Sequence, residues 1–165
     1  MTNSQVRDTG LHERYGRLLS YSLPCTGISF AGFLQGADGQ ERYYWENQND
    51  HIAFAGAGTA IEITAWGEDR FQKITDQIRE LFNQARILGS DNPLTAPRLF
   101  GGFSFRSDFT PDNTWSIYAP AYFVLPHYQL VSIKGEMWLT INTQIPLDEN
   151  PDDLVDDLKT ALSNK

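Results

Sequence analysis

Apolar and polar residues alternate along most of this chain, and the period of that alternation changes sharply in the middle. Across Thr59–Ala65 the order Ala60, Ile61, Glu62, Ile63, Thr64 puts Ile61 and Ile63 on one face of a strand and Glu62 and Thr64 on the other. Leu18–Leu23 alternates more weakly and reads as a first strand. Arg42–Glu46 and Ile52–Ala55 are strand-like, with turn chemistry at Asn47–Asp50 between them. At Glu68–Leu88 the pattern becomes helical, because Phe71, Ile74, Ile78, Leu81, Phe82, Ala85 and Leu88 form a single apolar stripe. Asp69 is spaced to pair with Lys73 on that helix, and Gly89 is placed to end it.

A shorter helix is expected at Ile28–Leu34, closed by the Gly36–Gly39 turn. After the long helix, Ser90–Pro97 reads as loop, Arg98–Phe105 as strand and Arg106–Thr114 as polar loop. Tyr122–Leu125, Tyr128–Ile133 and Met137–Ile141 predict a meander, with Lys134-Gly135 making its second turn and Pro126 marking a bend or an edge. Pro151–Leu162 predicts a final short helix, with Leu154, Val155, Leu158 and Leu162 on one side. Residues 1–16 read as a flexible leader and 17–165 as one domain. Short turns rather than helices join the strands, so the fold class is α+β with a mostly antiparallel sheet, the long helix at about 68–88 and the C-terminal one.

Composition narrows the function. Net charge is −8 and the cationic side chains are scattered, so nothing presents a basic stripe to nucleic acid. No apolar run is long enough for a membrane span, and the polar start lacks a signal peptide's apolar stretch; cytoplasm is the expected compartment. The single Cys25 reads as a structural thiol. Gly56-Ala57-Gly58 has Ile61 where a dinucleotide loop needs glycine, and a strand follows instead of a helix, so it reads as a turn. The acidic run Asp148, Glu149, Asp152, Asp153, Asp156, Asp157 fails the calcium-loop test, with Asp153 and Lys159 where glycine and glutamate are required; Asp152 and Asp153 instead complement a helix N-terminus. His12, His51 and His127 have no spaced partner, and no nucleophile elbow surrounds Ser104 or Ser107. Gly101-Gly102 is the local anomaly. Glycine within a strand marks either a ligand-contacting wall or another backbone passing close.

Phe100-Gly101-Gly102-Phe103 with Phe105, then Ala121–Pro126, then Glu136–Asn142, together with the aromatic pair ending in Trp45 and the Gly56–Gly58 turn, resemble the N-terminal half of isochorismate synthases. Gly101, Gly102, Phe103 and Phe105 are its structural signature in this chain. The resemblance spans about Leu18 to Asn142. It implies a parent enzyme that converts chorismate to isochorismate with Mg²⁺, using a lysine as base for water, a glutamate as acid for the departing hydroxyl and further glutamates for the metal. Those residues belong to a C-terminal catalytic half, the expected partner of this chain, and none of their roles transfers to Lys73, Lys134, Lys159 or Lys165. This chain is therefore expected to supply no catalytic, ligand-binding or metal residue, and to hold no cofactor by itself. The implied fold packs two sheets together, and a half-fold would leave an apolar face uncovered, predicting self-association. A stand-alone protein binding a small ligand or a partner through the same half-fold is the alternative reading.

Overall fold

The computed structural model describes residues 16–106 and 118–163. The leader expected at 1–16 therefore lies outside the described residues except for Gly16, as does most of the loop expected at Arg106–Thr114. In chain order the elements are β1 (Arg17–Cys25), α1 (Phe30–Gly36), β2 (Arg42–Asn47), β3 (Ile52–Ala57), β4 (Ile61–Ala65), α2 (Arg70–Asn83), β5 (Arg86–Leu88), a 3-10 turn (Pro93–Thr95), β6 (Phe100–Phe103), β7 (Ala121–Leu125), β8 (Tyr128–Ile133), β9 (Glu136–Ile145) and α3 (Pro151–Ser163). The class is α+β and mostly antiparallel, as the pattern predicts.

The strands form two sheets, ordered β2-β3-β8-β9-β1-β5 and β4-β7-β6. This corrects the expected meander: β8 and β9 pair with each other, but β7 belongs to the smaller sheet. The switch falls at Pro126, which has no N–H to extend a ladder. Its carbonyl accepts from Asn142 Nδ2 at 2.9 Å, while the amide of His127 donates to Gly58 O at 3.3 Å. Proline thus ends one pairing and asparagine fixes where the chain re-enters the other sheet.

The long helix is also shorter than its stripe. It ends at Asn83, and Arg86–Leu88 adds a parallel edge strand to β1, with Ser20 opposite Ile87. Gly89 explains the departure. Its φ is +93, and a Cβ there would sit 1.9 Å from Ser22 O. Only glycine lets the chain run this close to β1, so its role is strand docking rather than helix termination. Asp69 pairs with Lys73 at 2.9 Å as expected. The strand expected at Arg98–Phe105 contracts to four residues, because the amide of Arg98 donates to the Gln129 side chain (2.9 Å) instead of a neighbouring strand.

Two apolar cores result. One face of the large sheet presents Leu19, Ala55, Leu130, Leu139, Ile141 and Ile145 to α3 (Leu158) and to half-buried Phe30, Phe33 and Leu34 of α1. The second core joins Leu18 from the opposite face to Ile61, Ile63, Ala65, Ala121 and Leu125 of the small sheet and Ile74 of α2. Between them the large sheet buries a polar band. Ser20 Oγ donates to Asn142 Oδ1 (2.8 Å), Ser22 and Thr140 hydroxyls lie 2.7 Å apart, and Gln129 Nε2 donates to Ala96 O (3.1 Å). The loop after β5 covers this band, and Thr95 O accepts from both hydroxyls at 3.3 Å. Each of these buried groups has a partner, which keeps the cost of removing it from water low.

Candidate functional site

The small sheet carries the double-glycine strand, with β6 at its edge. In the β6–β7 ladder Gly101 lies opposite Phe123 and Gly102 opposite Tyr122. The two glycines have different reasons to be there. A Cβ on Gly101 would stand 2.1 Å from Tyr122 O and 2.6 Å from Phe123 Cα, whereas one on Gly102 would meet nothing within 4 Å. Gly101 is thus required by a close backbone approach, and Gly102 leaves open space on the other face. Phe103 stacks on Phe71 of α2 with ring centroids 4.2 Å apart and meets Phe123 edge-on at 5.0 Å. Phe105 contacts solvent fully.

The Gly102 face gathers the polar side chains that do converge. Phe100 stacks on Tyr43 of β2, ring centroids 5.2 Å apart, tying the small sheet to the large one. The Tyr43 hydroxyl donates to Glu41 Oε2, which also accepts from Thr59 Oγ1 at 3.0 Å. Tyr122 OH donates to Glu62 Oε1 at 3.0 Å. Burial first, then the bond to Glu41, raises the Tyr43 pKa. Burial, followed by the bond to Glu62 and the charge of Glu41, pushes Tyr122 up to about 12. Both phenols therefore stay protonated and both glutamates act as acceptors. The site is rich in negative charge and poor in donors that could hold an anion. Sequence reading placed Glu62 and Thr64 on one face but did not find the cluster, because Glu41 and Tyr43 reach it from the other sheet.

The remaining candidates stay apart. Lys73 pairs with Asp69 on α2 and Lys159 with Asp156 on α3, while Lys134 occupies the β8–β9 turn at φ +50. Gly58 makes a left-handed turn between β3 and β4 at φ +66, and a strand rather than a helix follows it. Burial raises the Cys25 thiol, which disfavours the thiolate. Asp152 and Asp153 lie in the first turn of α3, and Asp152 also reaches Arg86 at 3.4 Å. Among the described residues no three acids, histidines or cysteines come together to hold a metal ion. The Mg²⁺ implied by the resemblance has no fitting donor set among them, since Glu41 and Glu62 are each committed to hydroxyl donors.

A two-sheet α+β domain with this double-glycine edge strand defines a class, and comparison with known proteins supplies the family. The sequence pattern of the chorismate binding enzyme family matches residues 4–165, so the chain belongs to that family. The salicylate biosynthesis isochorismate synthase of Pseudomonas aeruginosa is 37% identical over 82 residues, covering 50% of this chain and 16% of the relative. This is an isochorismate synthase-related domain. The solved structure of the menaquinone-specific isochorismate synthase MenF from Escherichia coli aligns over 90% of this chain and 29% of its own, with 11% identity and a TM-score of 0.49. The matches thus span less than a third of either relative's length.

Proposed function

We propose that this chain is the N-terminal, non-catalytic domain of an isochorismate synthase, an isomerase of the cytoplasm serving menaquinone, salicylate or siderophore synthesis. The 37% identity to the Pseudomonas aeruginosa enzyme carries the reading, together with its confinement to 16% of that enzyme's length. The electrostatics of the cluster support it. Chorismate is a dicarboxylate, and the polar groups that converge here are two carboxylates with hydroxyl donors already committed to them. A dianion gains nothing there without a cation from elsewhere. The domain's contribution is a rigid two-sheet frame, and the C-terminal catalytic half brings base, acid and Mg²⁺. The frame exposes Trp66, Phe71, Phe103 and Phe105, and Phe71 and Phe103 stack on each other beside the β6 edge. In isolation the chain is expected to self-associate there, and a sedimentation run giving a compact monomer at all concentrations would count against that.

The test of function is direct. Purified chain with chorismate and Mg²⁺ is expected to form no isochorismate above the uncatalysed rate. Turnover that scales with protein and disappears on chelation would refute the scaffold assignment.

A further inference from the structure

A concavity lies on the face of the large sheet opposite the small sheet, away from the double-glycine strand. Its floor is Ala57, Tyr128 and Leu139; its wall is α1, and Gln40 stands at its mouth. The volume is about 350 Å³, within the range of small-molecule pockets. It exists because the facing residues are small. Gly32 and Gly36 sit on α1 and Ala57 on β3, so helix and sheet cannot close the gap between them.

Those glycines are costly where they stand. Each lowers helix propensity by about 1 kcal/mol against alanine, and α1 is only seven residues long with no fully buried side chain. Ser29 caps it, accepting from Gly32 N at 3.0 Å. Neither Gly32 nor Gly36 has a left-handed φ, so the backbone conformation does not require glycine at either place. Gly36 does not need its missing side chain to avoid a clash either, since a Cβ there meets nothing within 4 Å. Room is what Gly36 provides, while a Cβ at Gly32 would also press the capping Ser29 Oγ at 3.2 Å.

The lining also states the ligand's chemistry. Apart from Tyr128 it contains no ionisable side chain, so a charged group would be desolvated without a partner. Phe33 and Tyr128 bring aromatic rings to the lining, and the Gln40 side-chain amide, whose oxygen lies against Gly58, takes no hydrogen-bond partner among the described residues. We infer that the space between α1 and the large sheet is a binding site for a neutral aromatic molecule of two or three rings, oriented by Gln40. This inference does not depend on the proposed function.

The probe is N-phenyl-1-naphthylamine, a neutral dye that brightens on leaving water, set against its sulfonated counterpart 1-anilinonaphthalene-8-sulfonate. The full chain is expected to bind one neutral probe per molecule, and the sulfonate about tenfold more weakly or worse. Gly36→Leu and Ala57→Ile, which fill the space from wall and floor, should each weaken the neutral probe by about tenfold while unfolding cooperatively as the parent does. Phe105→Ser, at the exposed aromatic surface, should leave binding unchanged. Equal binding of both dyes, loss of binding in Phe105→Ser, or full binding in both filling variants would each overturn the assignment. If one filling variant fails to fold, the other decides alone.

Discussion

Gly101 and Gly102 are adjacent and chemically identical, yet the structure assigns them opposite sensitivities. Alanine at Gly101 would place its methyl 2.1 Å from Tyr122 O and 2.6 Å from Phe123 Cα. Both are backbone atoms of β7, the middle strand of the small sheet, so neither can rotate aside. Forcing a methyl into a packed site costs about 1–3 kcal/mol and sometimes more, and the rigid neighbours put this case at about 3. For a chain of this length each kcal/mol lowers Tm by about 2–4 °C, so Gly101→Ala should melt about 6–12 °C below the parent. Gly102→Ala meets nothing within 4 Å and needs no left-handed backbone. Restricting the unfolded chain should stabilise it by about 0.4–1 kcal/mol, raising Tm by about 1–4 °C. Thermal melts followed by circular dichroism, with hydrogen exchange on Phe100–Phe103, read both effects. Equal melting temperatures, or a Gly102 variant less stable than the Gly101 variant, would refute the assignment of the close approach to Gly101.

Asn142 is fully buried and bonds both Ser20 Oγ and Pro126 O; Asn142→Ala strands both partners and should lower stability by about 2–3 kcal/mol, read as a shifted urea midpoint with unchanged slope. Tyr122 has a folded pKa of about 12 against an ordinary value of 10.0, so its contribution is complete below pH 10 and is lost as pH rises towards 12. Phenolate absorbance should therefore show a late-titrating group that Tyr122→Phe removes; a native protein whose tyrosines all titrate together near the ordinary value would contradict this.

What the sequence revealed follows from how local each signal is. Ile61 and Ile63 both face the second core, as their alternation with Glu62 and Thr64 requires. The long helix was legible from its stripe, but the stripe ran on through Leu88, whose place is fixed by pairing with Tyr21 on a strand far away in sequence. Alternation alone cannot see such a partner. Thr140 and Asn142 alternate with Leu139 and Ile141 as solvent-facing residues would, yet they are buried, Thr140 under the loop carrying Thr95 and Asn142 against Ser20 and Pro126. Polarity in a strand predicts partners as readily as it predicts water. The pairing of β7 with β4 and β6 was hidden for the same reason, since proximity in sequence favoured β8.

The same distinction governs the candidate site. The paired glycine was visible, and of its two readings the close approach of another backbone describes Gly101, while Gly102 faces open space. Glu41, Tyr43, Glu62 and Tyr122 were invisible as a group because the stack of Phe100 on Tyr43 joins two sheets that no local pattern connects. Where they meet, burial and the neighbouring carboxylates keep both phenols protonated, and the two carboxylates accept from hydroxyl donors. The edge strand itself has two unlike faces, since Gly102 raises no side chain on one and Phe103 stacks on Phe71 on the other.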